Sequence, residues 1–353
     1  MKKKLGLVYG GKSAEHEVSL STALAVMQAI DFDKYEVIPV YITYEGEWRK
    51  GKALAKPVDK IEALRLPGAG KKDNIDQFIN GDGLPDVVFP VLHGTNGEDG
   101  TVQGLFEVLN LPYVGNGVLA SSAGMDKVSM KQLFAQVGLK QVPYVYFIRG
   151  QWQSERDAFI LKMESELTYP MFVKPANLGS SVGISKAETR EALIKAIDYA
   201  LKFDRRIIVE QGVDAREVEL AVKGNDHPVC SVPGEIKPLA QFYDYEAKYQ
   251  DGSTELVIPA VVSEAVLKEM DDMAIRAFKV LDCAGLVRAD FFVTKDDEVL
   301  INEVNTMPGF TPVSMFPLLW QNTGVSYPQL IDELIALAFE RHGEKATLQY
   351  TRD

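Results

Sequence analysis

Cysteine is scarce in this chain of 353 residues: Cys230 and Cys283 are the only two. They make neither a disulfide framework nor a metal-ligand pattern and read as reduced core thiols. Long apolar runs are missing too; none approaches the ~20 residues of a membrane-spanning helix. The basic start Met1-Lys2-Lys3-Lys4 is followed only by Leu5-Gly6-Leu7-Val8-Tyr9 before Gly10-Gly11. That is too short for a signal-peptide core and reads as a first strand. These absences favour the cytoplasm and exclude a membrane-spanning class. Basic residues are outnumbered, with 38 Lys and Arg against 50 Asp and Glu and a net charge of −12. The chain therefore lacks the basic footprint of a nucleic-acid binder, although lysines can still cluster locally around an anion. The Gly/Ser-rich loop Leu178–Gly183 lacks the order of two phosphate-binding signatures, Gly-x-x-x-x-Gly-Lys-Ser/Thr and Gly-x-Gly-x-x-Gly. No internal repeat or low-complexity tract is visible.

What is present is an α/β pattern on a chain long enough for two or three domains. Leu5–Tyr9, a helical run through Val18, Ala23, Leu24, Met27 and Ile30, and Tyr35–Ile42 predict strand, helix and strand around a parallel sheet. Tyr44–Gly83 reads as an irregular excursion. Strands are expected at Asp86–His93 and Pro112–Gly115, with a short helix at Thr101–Asn110 between them. Beyond about Ser121 we expect a helix carrying Lys127 and Lys131, strands at Pro143–Ile148, Met171–Lys174 and Arg206–Gln211, and helices near Ser154–Glu166 and Thr189–Phe203. From about Gly212 the pattern is α+β, with strands at Glu217–Lys223 and Pro228–Ile236. Helices are expected at Ser263–Leu281 and near Tyr327–Arg341. The resulting division is 1–121, 122–211 and 212–353.

Two strands near the C-terminus carry the sharpest chemical signal. Leu286–Val293 and Val299–Asn305 flank the polar turn Lys295-Asp296-Asp297-Glu298. Side chains alternate along a strand, so Arg288 and Asp290 share a face, as do Glu303 and Asn305. A turn centred on Asp296 and Asp297 sets Asp290 opposite Glu303 and Arg288 opposite Asn305. Directly opposed carboxylates destabilise a sheet unless a cation lies between them. Hard carboxylate and amide oxygens suit Mg²⁺. Upstream, Lys174 ends a strand and Leu178-Gly179-Ser180-Ser181-Val182-Gly183 follows, offering backbone N–H groups and two hydroxyls to a phosphate. Such a loop alone equally suits a flexible connector; Lys174, Lys127 and the metal-like hairpin turn the reading toward ATP. Glu210, followed by Gln211-Gly212-Val213, could accept from an adenine amino group, and Glu217 could hold ribose hydroxyls; either could instead be a solvated acid.

Lys174, the Gly179–Gly183 loop, Glu210, Arg288, Asp290, Glu303 and Asn305 together resemble the ATP-grasp superfamily. Within it, five stretches resemble the D-alanine–D-alanine ligase family: Gly10–Ser19, His93-Gly94, Gly97-Glu98-Asp99-Gly100, Tyr243–Tyr249 and Asn305–Thr311. The resemblance runs in order from residue 5 to about 320. It implies an ATP-grasp fold behind an N-terminal Rossmann-like domain. It further implies ligation of two D-alanines through a D-alanyl phosphate, for peptidoglycan precursors, by a homodimer. Asp290, Glu303 and Asn305 would hold two Mg²⁺ ions, with Mn²⁺ as an alternative. ATP would contact Lys127, Lys174, Gly179, Ser180, Ser181, Glu210, Gly212, Val213, Glu217, Lys248 and Asn302. Arg288 and the Gly309 N–H would form an oxyanion hole. Glu15, helped by Ser180 and Tyr249, would bind the ammonium of the first D-alanine, with His93 at the same end. Ser314 and the backbone near Met315 would bind the carboxylate of the second, at the start of a helix.

Some readings remain open at this stage. Glu15 could serve only as an acid at a helix N-terminus, His93 as a structural histidine, and Tyr249 as a loop aromatic. Ala240–Glu255, long, polar and aromatic, has the look of a lid. Pro175-Ala176-Asn177-Leu178 stands where many relatives carry charged residues; backbone donors there could still bind phosphate. The competing functions are a D-alanine–D-lactate ligase, against which Lys248-Tyr249 counts, and a nucleotide-binding regulatory protein that has lost the chemistry.

Overall fold

The computed structural model describes residues 2–68, 75–80, 83–238 and 254–352. Three sheets organise these residues. The first contains β1 (Lys3–Gly10), β2 (Tyr35–Ile42), β3 (Trp48–Lys50) and β4 (Val87–Pro90), in the order β3-β2-β1-β4. β1 pairs in parallel with β2 and β4, and α1 (His16–Ala29) makes the crossover that parallel strands require. The excursion after Tyr44 is more regular than expected: it supplies β3, a 3-10 turn at Ile61–Leu64 and α2 (Ile75–Asn80). α3 (Thr101–Val108) follows β4. Pro112–Gly115 is not a full strand. Tyr113 bridges Val88, and the chain turns away at Gly115, whose φ of +97° an ordinary side chain would resist.

α4 (Val118–Met125) and α5 (Lys127–Gln136) lead into the second sheet. Asp126 caps α5 by accepting from Ser129 N at 2.7 Å, satisfying one of the helix's orphan donors. The sheet is antiparallel, in the order β5-β8-β6-β7: β5 (Tyr144–Ile148), β6 (Met171–Pro175), β7 (Ser185–Ala187) and β8 (Arg206–Gln211). α6 (Arg149–Glu166) and α7 (Arg190–Ala200) connect its strands.

The third sheet has six strands, β9 (Ala215–Gly224), β10 (Val229–Cys230), β11 (Gly234–Pro238), β12 (Thr254–Val257), β13 (Gly285–Thr294) and β14 (Val299–Asn305). Their order is β12-β11-β9-β13-β14, with β10 also on β9. The single strand expected over Pro228–Ile236 is thus two short ones, because Pro233 has no N–H to give a ladder. α8 (Glu264–Val280) closes one face of this sheet: Val266, Met270, Met273, Ala274, Ala277 and Phe278 recur at helical spacing and are buried with Val287, Ala289, Phe291 and Ile301. α9 (Met315–Asn322) and α10 (Tyr327–Lys345) instead join the first sheet. Phe316, Leu319, Leu330, Ile331 and Leu334 share one core with Leu5, Leu7, Val37 and Phe89. No helix among the described residues is long and apolar enough to cross a membrane.

Candidate active site

The second and third sheets enclose a cavity of about 340 Å³, within the size range of small-molecule sites. Strand periodicity builds its walls. On β13 the residues Arg288, Asp290 and Phe292 point inward while Val287, Ala289, Phe291 and Val293 are buried in the core. On β6, Phe172 and Lys174 do the same. Phe172 and Phe292 were missed in the sequence reading, although each lies two residues from an assigned group on the same strand face.

The hairpin pairs as expected at its far end, with Asp290 opposite Glu303 and Arg288 opposite Asn305. Nearer the turn the register differs: Phe291 faces Ile301 and Val293 faces Val299. Asn302 is the extra residue, a β-bulge. The bulge decides the chemistry, because an unbroken strand with Val299 and Ile301 in the core would bury Glu303 and Asn305 as well. With it, Ile301 and Val304 are both buried while Asn302, Glu303 and Asn305 all reach the cavity. The signal was legible as a break in the apolar alternation between Ile301 and Val304.

Arg288 makes a two-pronged contact with Asp290, at 2.7 Å on each oxygen, and its Nε lies 2.9 Å from Glu219 Oε2. Asn305 Nδ2 donates to Asp290 Oδ2 at 2.8 Å. Burial opposes the Arg288 charge, but Asp290 and Glu219 outweigh it and hold its pKa above the usual guanidinium range. Glu303 lies 3.4 Å from Lys127 Nζ. Among the described residues no three His, Cys, Asp or Glu side chains form a metal cage by themselves. Asp290 and Glu303 are nevertheless paired in register, and an amide already sits on Asp290. This set of hard oxygens fits a hard cation that completes its shell with phosphate and water.

Opposite the hairpin, Lys174 donates to Glu210 Oε2 at 2.6 Å, and Lys131 lies 3.1 Å from Glu210 Oε1. Burial pushes the Glu210 carboxyl up, but the ammoniums of Lys131 and Lys174 prevail and hold it at about 2. Burial also draws Lys131 below the usual lysine range, against the pull of Glu210, whereas Lys174 overcomes its burial through Glu210 and is raised. Lys127 donates to the Leu178 carbonyl at 3.0 Å, anchoring the loop. Within it Ser180 and Ser181 hold φ of 51° and 58°. Two successive left-handed residues that are not glycine store backbone strain, and such strain favours function at this loop. Gly179, Ser180, Ser181, Gly212, Val213 and Glu217 all line the cavity, as do Glu210 and Asn302.

The N-terminal acid arrives at the loop from the first sheet. Glu15 occupies the N-cap position of α1 but makes no side-chain cap; its carboxylate instead accepts from Ser180 Oγ, 165 residues away. Glu98, quoted in the motif but given no role, also lines the cavity and accepts from Gly94 N at 2.8 Å. Burial, and then the charge of Glu15, raise its carboxyl to about 8. Gly94 has to be glycine: its φ is +74°, and a Cβ there would stand 2.8 Å from Glu15 Oε2.

His93 is buried, with Nε2 3.2 Å from Thr22 Oγ1. Burial lowers its pKa, while Glu15 and a hydrogen bond to the Met307 backbone oppose this. It lies beside the acid and also ties α1 to the loop after β14. Ser314 begins α9, and its Oγ accepts from Thr311 N at 3.1 Å. A Cβ on Gly309 would come within 3.2 Å of that same Oγ, so the two positions adjoin. The Met315 side chain is in the core, leaving only its backbone for a ligand. Lys248, Tyr249 and most of the expected lid over Ala240–Glu255 lie outside the described residues.

The chain is similar to known proteins over nearly its whole length. Residues 4–116 match the D-ala D-ala ligase N-terminus family and residues 133–336 the D-ala D-ala ligase C-terminus family. A D-alanine–D-alanine ligase from Bacillus licheniformis is 57% identical over 99% of this chain and 100% of its own length. Among solved structures, the D-alanine–D-alanine ligase from Coxiella burnetii superposes with a TM-score of 0.81 at 33% identity, covering 98% of this chain and 96% of its own. The VanG D-Ala:D-Ser ligase from Enterococcus faecalis gives 0.82 at 35% identity, covering 96% and 100%. The fold is therefore ATP-grasp, α/β with mixed sheets, and the chain belongs to the D-alanine–D-alanine ligase family.

Proposed function

We propose that this protein joins D-alanine to D-alanine, as its relatives' names state of them, and that it does so at the expense of ATP. One observation carries the reading most directly: Glu15, from the first sheet, meets Ser180 of the strained loop at the cavity. An ammonium seat thus adjoins a phosphate cradle. The carboxylate of the first D-alanine would attack the γ-phosphorus, giving an acyl phosphate and ADP. The amine of the second would then attack that carbonyl, and phosphate would leave.

The residues divide this work. Glu15 holds the first ammonium. Gly179, Ser180 and Ser181 offer donors to the phosphate chain, with Lys127 and Lys174 beside them. Phe172 and Phe292 provide apolar surface for a flat base, and Glu210, Gly212 and Val213 border it. Glu217, which also lines the cavity, is assigned to ribose hydroxyls. Asp290, Glu303 and Asn305 would hold Mg²⁺, which neutralises charge on the transferring phosphoryl group when bound. Arg288 and the Gly309 N–H are assigned to the tetrahedral oxyanion. Ser314, at the head of α9, is assigned to the second carboxylate, where the helix N-terminus favours an anion. Lys248 and Tyr249, outside the described residues, are assigned by the resemblance to a phosphate and to the end that binds the first D-alanine; water has to be kept from the acyl phosphate. A cytoplasmic homodimer is part of the same reading.

The test is incubation of the purified protein with ATP and Mg²⁺ plus D-alanine, alone or with D-lactate or D-serine. D-alanyl-D-alanine with matching ADP and phosphate is expected. No ADP in any mixture would sink the ligase reading; a mixed product formed in preference to the dipeptide would reassign the second substrate.

A further inference from the structure

Lys131 has no part in the reaction just described, yet it is the most buried charged side chain near the site. It is 1% exposed, on α5, behind Glu210 and not on the cavity wall. Its Nζ lies 3.1 Å from Glu210 Oε1 and 3.3 Å from the carbonyl of Asn302. A methionine could fill such a space without burying a charge, and a buried ammonium is costly unless well paired.

Its partners suggest what that charge does. Glu210 is 3% exposed and meets two ammoniums, one on each oxygen. Paired with Lys174 alone, at 2.6 Å in a dry setting, it would form a closed neutral couple. Lys174 would then be held on the acid and withdrawn from any phosphate. A second ammonium gives Glu210 a counter-ion on its other oxygen, so that two cationic side chains share one carboxylate. The other contact is equally pointed: the Asn302 carbonyl belongs to the bulge that turns Glu303 and Asn305 into the cavity.

We propose that Lys131 is a positioning residue for the nucleotide. It neutralises Glu210 from behind, so that Lys174 is free to meet the phosphate chain, and it holds the Asn302 bulge that aims the hairpin acids. This rests on the nucleotide reading above and adds to it a residue that never touches the ligand.

The test uses Lys131→Met, Lys131→Arg, Glu210→Gln and the double variant Lys131→Met/Glu210→Gln. Each is assayed for the KM of ATP and of D-alanine and titrated with a non-hydrolysable ATP analogue plus Mg²⁺. For Lys131→Met we expect the KM of ATP to rise about tenfold or more, with that of D-alanine within about twofold. Lys131→Arg keeps the charge and should stay near wild type; it also decides the matter if the methionine variant does not fold, since a loss of ATP affinity equal to that of Glu210→Gln would then refute the role. In the double variant the acid that captures Lys174 is gone, so its ATP affinity should exceed that of Lys131→Met alone. Wild-type ATP affinity in Lys131→Met, or losses that simply add in the double variant, would overturn the proposal while leaving the nucleotide reading intact. A wild-type protein that does not bind the analogue would overturn both.

Discussion

Arg288 stands between Asp290 and Glu219, and those two acids fix both its charge and its orientation. If it serves the tetrahedral intermediate, Arg288→Ala should lower kcat by about 10²–10³-fold, as loss of an oxyanion donor typically does. Affinity for the ATP analogue should be largely kept, and an unchanged kcat would remove Arg288 from the chemistry. Glu98 makes a different prediction. Its carboxyl is raised from 4.5 to about 8, so between those values the folded protein binds more protons than the unfolded chain. Stability from this group is then present on the acid side and lost as pH rises through that window. Glu98→Gln keeps a neutral side chain and an oxygen for Gly94 N. The melting temperature of the ligand-free variant, relative to wild type, should therefore rise from about pH 5 to about pH 8 and level off above that. A pH-independent difference would mean that Glu98 does not titrate there.

At the scale of elements, the β13–β14 hairpin carries one inserted residue. Deleting Asn302 would restore plain alternation with Val299, Ile301 and Val304 still toward the core and Glu303 and Asn305 still toward the cavity. What the deletion removes is the carbonyl that accepts from Lys131. We expect Mg²⁺-dependent ADP formation to be retained in the deletion variant. Its loss in a variant that still folds would show that Asn302 does more than set the phase of the strand. α5 works in a similar way, since Lys127 and Lys131 are four residues apart and both point inward. One reaches Glu303 and the other Glu210, so a single helical turn serves both walls.

Across the whole molecule, Asn116 joins pieces distant in sequence. Its Nδ2 donates to the carbonyls of Leu286 and Thr306, each at 2.7 Å, and its Oδ1 accepts from Ala284 N at 2.9 Å. The amide is buried. Asn116→Ala would leave two carbonyls and one N–H without it, at about 1–3 kcal/mol for each group left unsatisfied. Denaturant unfolding should register a loss of about 3 kcal/mol or more; a loss below about 1 kcal/mol would mean that water replaces the amide. The two C-terminal helices tie the ends together in the same manner. α10 buries Leu330, Ile331 and Leu334 against the first sheet, so the last element of the chain completes the core of the first.

Much of this was legible from local pattern. Arg206–Gln211 and Tyr35–Ile42 were read with their observed boundaries because apolar runs between turn residues fix strands locally. The opposed pair Asp290 and Glu303 followed from alternation, and Glu15, Lys174 and Glu210 from residue type and motif. The Lys131–Glu210 pair and the Glu98 carboxyl were not read, because each depends on neighbours brought by another part of the chain; the Asn302 bulge was not read although the broken apolar alternation that marks it is local. A strand's phase is set by which side its partner buries, and a carboxyl's pKa by the charges and dryness around it. The sequence alone determined which side chains carry chemistry and the periodicity that presents them. Only the tertiary structure decided which of them meet, because burial and charge pairing are properties of three-dimensional proximity, and here the first sheet delivers Glu15 to a loop 165 residues away.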